Sequence, residues 1–190
     1  MSDPALDGLD AFEALAARRR TSLLVDATRP VPDDLVEQLC RIATWAPNHK
    51  RTWPWRFAAL TGDARGRLGA AVADALAADG ADDGKVAKAR TKYQRTPTVL
   101  VVGCATDPDP ERAAEDRDAV AAAVQTLLLA ATAAGLASYW GTGRVTTVPA
   151  VRTLCGFTDT DRVVAVIYLG WPTAPVTVPE RPPPPFRTVR

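Results

Sequence analysis

Apolar residues recur along this chain at helical and at strand spacing, and the switches between the two divide it into elements. From Asp10 to Arg19, Phe12, Leu15 and Ala16 share one face of a helix. Pro30-Val31-Pro32-Asp33-Asp34 opens a second helix with acids in its first turn, where the macrodipole favours them, and Leu35, Leu39, Ile42 and Ala43 form its buried stripe. Arg56 to Thr61 reads as a short strand stopped by Gly62-Asp63. An Ala-rich helix follows from Ala64 to Ala78, with Leu68, Val72, Ala75 and Leu76 inward. After a polar loop over Asp79 to Gly84, a basic helix runs from Lys85 to about Gln94, and Pro97 bars its continuation. Val99 to Cys104 is a continuous β-branched run, expected to be a strand covered on both faces. Asp107-Pro108-Asp109-Pro110 turns the chain into its longest helix, Glu111 to Ala134, with Gly135 at the C′ position. Ser138-Tyr139-Trp140 is strand-like and breaks into Gly141-Thr142-Gly143. Val148 to Phe157 reads as a short helix and Arg162 to Gly170 as a core strand. Helices and strands mix without strict alternation, so the expected class is α+β.

Composition changes this picture little. With 47% hydrophobic and 24% charged residues, the chain reads as one globular domain over 1–190, with a Pro-rich arm over 173–190. That arm is expected to be disordered or laid across another subunit. A formal net charge of +1 gives no electrostatic reason to expect nucleic acid or an anionic membrane as partner. Met1-Ser2-Asp3-Pro4 is acidic, with no apolar segment after it, and the longest apolar run, around Ala119 to Leu136, is broken by Gln125 and two threonines. Cys40, Cys104 and Cys155 lie far apart in apolar segments, the pattern of buried free thiols in a reducing cytoplasm, and give no metal spacing.

Three stretches carry candidate chemistry. Arg18-Arg19-Arg20-Thr21-Ser22 offers guanidinium forks and hydroxyls for a phosphate, and its alternative reading is a cationic helix end complementing the macrodipole. The loop from Ala46 to Phe57 holds the only histidine, His49, beside Lys50 and Arg51 and two of the five tryptophans. Indoles and cations together suit a planar anionic ligand, and the alternative is a solvated basic turn whose tryptophans cap the core. Gly141-Thr142-Gly143 exposes backbone N–H groups and lets a ligand approach the main chain. Nucleophilic triads, a P-loop and the dinucleotide Gly-rich fingerprint are absent from the sequence. Asp116 and Asp118, beside Arg112 and Arg117, read as a solvated helix face. What remains is what a flavin mononucleotide (FMN) needs, and with such a cofactor no catalytic side-chain set is required.

In order, Arg-Arg-Arg-Thr-Ser, then Ala-Pro-Asn-His-Lys with Pro-Trp-x-Phe, then Gly-Leu-x-Ser-x-Trp-x-Thr-Gly resemble the nitroreductase family, from about Phe12 to the Pro-rich tail. The resemblance implies a sandwich with a mixed central sheet flanked by helices, in a homodimer with exchanged arms. It implies FMN in clefts at the subunit interface, NAD(P)H as reductant and a nitroaromatic, quinone or similar small-molecule acceptor. Arg19, Arg20, Thr21 and Ser22 resemble the phosphate and ribityl contacts, and His49 and Lys50 the contribution of the second subunit. Trp140, Gly141, Thr142 and Gly143 resemble the segment along the flavin. Leu23 and Leu24 depart from the family pattern, where a basic residue is common, and so does Arg51-Thr52-Trp53-Pro54-Trp55. Charge near the flavin is then expected from Lys50 or Arg51. The rival expectations are a non-redox FMN carrier or sensor, with Trp53 or Trp55 over the open flavin face, and a cofactor-free helical interaction protein.

Overall fold

The computed structural model describes residues 4–190, with side chains from residue 7 onward. Met1, Ser2 and Asp3, the start of the acidic stretch noted above, lie outside the described residues. Among the described residues, six α-helices and four strands follow in the order α1 (Pro4–Arg18), α2 (Asp33–Ala43), β1 (Trp55–Leu60), α3 (Asp63–Ala78), α4 (Asp83–Lys92), β2 (Thr98–Cys104), α5 (Pro110–Ala133), β3 (Ala137–Gly141), α6 (Pro149–Leu154) and β4 (Arg162–Gly170). Residues 175–190 form neither helix nor strand.

The strands make one sheet in the order β1-β2-β4-β3, and every ladder in it is antiparallel. The mixed character expected of the sheet is confined to a single parallel bridge, Thr21 to Ser138, outside the named strands. Successive strand residues face opposite ways, so β2 feeds two cores at once. Leu100 and Val102 pack with Leu39, Val124 and Leu127 beneath α2 and α5. Val99 and Val101 pack with Leu68, Val72 and Tyr93 beneath α3 and α4. Every residue of β2 is buried, as its continuous apolar run predicts. On the second face Tyr168 stacks on Tyr93 at 5.8 Å and meets the edge of Tyr139 at 5.6 Å.

Three expectations shift. In α2 the stripe is Val36, Leu39 and Ala43, while Ile42 is exposed: the helix turns the i, i+3, i+7 set inward. Phe12 of α1 also stands in solvent, because α1 projects from the fold and touches chiefly α5. Asp116 is 3% exposed rather than solvated, for a reason given by the neighbouring loop. Among the described residues, no helix is long and apolar enough to cross a membrane.

Candidate functional site

Where α1 ends, the chain is drawn alongside β3, the sheet's edge strand. Thr21 bridges Ser138 in parallel, and the Ser22 N–H donates to the Ser138 carbonyl at 3.0 Å. In this parallel register Thr21 and Ser22 lie beside Ser138, Arg20 and Arg19 run back along the start of β3, and the strand itself runs on through Trp140 and Gly141 to Thr142 and Gly143. Gly143 sits at φ 95°, a backbone region costly for any residue with a Cβ. Gly141 is buried, and a Cβ there would come within 3.2 Å of the Tyr168 ring.

The arginines divide between the two roles their sequence allows. One amino group of Arg20 donates to the carbonyls of Ala16 and Ala17, capping the end of α1. Arg19 has its pKa lowered, first by burial, then by Arg20 and by Arg181 of the carboxy-terminal arm. No carboxylate of the described residues forms an ion pair with Arg19 or Arg20. Three buried polar atoms here have no partner: Arg20 Nε, Ser138 Oγ and Trp140 Nε1. Buried polar groups are nearly always satisfied, so such a set beside unpaired cations fits an anionic ligand with many acceptors. Ser22 is buried, and its Oγ accepts the Leu24 N–H at 3.1 Å, which leaves its hydroxyl proton free to donate.

The loop before β1 is built differently. His49–Arg51 forms a tight 3-10 turn, and Lys50, Arg51 and Trp53 all have positive φ, at 60°, 55° and 51°. Each such residue costs roughly 1–2 kcal/mol, so the turn needs external support. Asn48 accepts the Trp53 N–H at 3.0 Å and donates to Thr52 at 3.0 Å. The Thr52 hydroxyl donates to Asp116 of α5, and Asn48 reaches the same carboxylate at 3.5 Å. This latch is why Asp116 is buried while Asp118 is not. His49 Nδ1 lies 2.7 Å from Glu115 Oε2, one residue earlier on α5. Trp53 remains exposed, whereas Trp55 is buried and 5.8 Å away from it, centroid to centroid.

The structure therefore sets residues 19–22 and 140–142 along one edge of the sheet, the first opposite the start of β3 and the second at its end, with Gly143 closing the turn. It sets His49 and Lys50 apart. Their loop feeds β1, at the opposite edge of the sheet from β3. Three strand spacings separate those edges, about 14 Å. Glu115, Asp116, Ser138 and Arg181 were missed from sequence. Only Ser138 carried a signal there, as a hydroxyl two residues before Trp140 on the same strand face. The thiols are shielded: burial pushes Cys40 to about 12 and Cys104 and Cys155 to about 11.

Fold and site define a two-faced α+β sandwich with a cation-and-hydroxyl cradle along one sheet edge. The profile of the Nitroreductase family matches residues 16–171, and the chain belongs to that family. A candidate NAD(P)H nitroreductase of Escherichia coli (strain K12), YdjA, is 32% identical over 187 residues, covering 95% of this chain and 99% of its own. Among solved structures, a nitroreductase-like family protein from Bacillus cereus superposes with a TM-score of 0.78 at 27% identity, covering 90% of each chain. The FMN-dependent nitroreductase NfnB from Mycobacterium smegmatis, solved with NADPH, has the same fold, with a TM-score of 0.71 at 22% identity over 92% of this chain and 95% of that one.

Proposed function

We propose that this protein is a cytoplasmic, FMN-dependent NAD(P)H oxidoreductase of the nitroreductase type, working as a homodimer. The observation that carries the reading is the set of unpartnered buried polar atoms at Arg20, Ser138 and Trp140 along one sheet edge, next in sequence to Arg19, which forms no ion pair among the described residues. Bound there, FMN would supply the redox chemistry, a ping-pong hydride transfer through its N5 from NAD(P)H to a nitroaromatic, quinone or similar acceptor. The chain's residues bind and orient. Arg19 and Arg20 hold the phosphate, and Arg181 adds positive charge from the arm. Thr21 and Ser22 donate to phosphate and ribityl oxygens. Trp140, Gly141, Thr142 and Gly143 lie along the ring system, where the small residues let it approach the main chain. His49 and Lys50 reach the ring edge of the second subunit's flavin, which accounts for their separation from the clamp in one chain. No side chain is assigned as catalytic.

Relatives described as NAD(P)H nitroreductases and a neighbour described as FMN-dependent support the choice of cofactor and reductant. The test is direct. Purified protein should carry yellow flavin absorbance and oxidise NADH or NADPH in steady state with a quinone or nitroarene. Flavin held tightly without turnover would replace the enzyme by a carrier, and colourless protein that takes up no added FMN would end the flavin reading.

A further inference from the structure

On the face of the sheet away from α5, a pocket of about 210 Å³ opens between α3, α4 and the turn that follows β3. Its floor is apolar, formed by Val72, Leu76, Tyr93 and Val145. Its wall is cationic. Lys85, Lys88 and Lys92 fall at i, i+3 and i+7 on α4, so all three line the same side, and Arg144 faces them. Two of the four cations are already committed. Arg144 forms a two-pronged pair with Asp79 at 2.6 and 3.1 Å, and Lys85 pairs with Asp82 at 3.2 Å. Lys88 and Lys92 form no ion pair with any carboxylate of the described residues. Lys92 is half-buried, with its ammonium 5.6 Å from the centre of the Tyr93 ring and its pKa lowered by burial and then by Arg95. An ammonium in that position lacks a counter-ion. At the rim stands Thr142, which adds a hydroxyl donor.

An apolar floor able to hold one ring, beside two uncommitted ammonium groups and a hydroxyl, describes a definite ligand. We propose that this pocket is a second binding site, for a single-ring aromatic carboxylate, with the ring on Val72, Leu76 and Val145 and the carboxylate between Lys88 and Lys92. The site shares Thr142 with the segment assigned to the flavin, but Val72, Leu76, Lys88, Lys92 and Val145 belong to it alone, so it does not depend on the flavin reading. Because Thr142 and Arg144 flank Gly143, a ligand here would also bear on the Gly-Thr-Gly turn.

Titrating the full-length protein as purified with benzoate, followed by calorimetry at low salt, tests the site. Three controls accompany it: benzyl alcohol, inorganic phosphate, and the double variant Lys88→Gln, Lys92→Gln. Benzoate should bind, and raising the salt to about 1 M should weaken it, since screening then acts within about 3 Å. The double variant should bind at least about tenfold more weakly, and phosphate and benzyl alcohol should each bind more weakly than benzoate. Lys88 is exposed and Lys92 half-buried, and circular dichroism confirms that the variant folds. Wild-type affinity in the folded double variant would place any benzoate elsewhere and overturn the proposal. Equal binding of benzyl alcohol would remove the anion site, and equal binding of phosphate the aromatic one. No heat and no ligand-dependent shift with benzoate would refute it outright.

Discussion

At the scale of single residues, Arg19 and Arg20 are separated by what they already do. Arg20 spends one amino group on the end of α1, and Arg19 makes no ion pair among the described residues. Arg19→Ala should therefore reduce FMN affinity by about tenfold or more, from a charge-assisted bond worth roughly 1.5–3 kcal/mol. Riboflavin, which lacks the phosphate, should lose much less, and equal losses in a fluorescence titration would move the phosphate away from Arg19. Arg20→Ala should add a loss of helix stability to its loss of FMN. The buried thiols and Tyr93 make a second prediction. Burial raises Cys104 and Cys155 to about 11, raises Tyr93 to about 12 and, with Glu37, raises Cys40 to about 12. Groups whose folded pKa lies above the unfolded value stabilise the fold fully below that value, near 8.5 for Cys and 10 for Tyr. The contribution fades as pH rises towards the folded value. The urea midpoint should hold level up to about pH 8 and fall steadily between about pH 9 and 11. A midpoint constant across that range would contradict the burial of these groups.

At the scale of elements, α3 and α4 pack closely because of one glycine. A Cβ on Gly69 would come within 2.2 Å of the Arg90 carbonyl oxygen and 2.9 Å of its carbon. Gly→Ala inside a helix ordinarily stabilises by about 1 kcal/mol. Here the contact is with backbone, which cannot rotate away, so α3 and α4 must separate. Gly69→Ala should destabilise by roughly 1–3 kcal/mol, as overpacking does. Denaturant unfolding checks the sign, and a stabilised variant would mean that the helices are farther apart than described. The loop at 48–53 shows the opposite dependence. Its three positive-φ residues are tolerated because α5 presents Glu115 and Asp116 to His49, Asn48 and Thr52.

At the scale of the whole molecule, apolar surface is left uncovered in one chain. Phe12 and Leu9 on α1, Trp45 after α2 and Phe186 on the arm are all exposed, Trp45 at 86% and Phe186 at 88%. Isolated exposed apolar residues are common, but these stand on the elements next to residues 19–22 and the His49 loop, as the proposed homodimer requires. The protein should run as a homodimer in light scattering. Deleting residues 175–190 should weaken that dimer and release flavin together, since Arg181 lies near Arg19 and each flavin would draw on both subunits. A monomer that keeps FMN at low micromolar concentration is the outcome that rules this out.

Much of this was legible along the chain, because periodicity and punctuation are local. The unbroken apolar run of β2, the Pro and Gly bounds of α5 and the span of β4 follow from which faces must be dry and where φ is constrained. The three stretches proposed for the site were also visible along the chain, since the side chains that could hold a phosphate or a ring stand there at short spacing. What the sequence could not determine depends on contacts between distant segments. The Thr21–Ser138 bridge and the Ser22 N–H bond to the Ser138 carbonyl join residues far apart in the chain, and they set residues 19–22 along the edge strand that carries Trp140 and Gly141. Asp116 looked solvated beside its charged neighbours, and Thr52 buried it. Strand order placed His49 across the sheet from Arg19, a separation no spacing in the sequence encodes. Local patterns determine which elements form. Pairing between remote elements decides which polar atoms are left without partners, and the candidate site is made of those atoms.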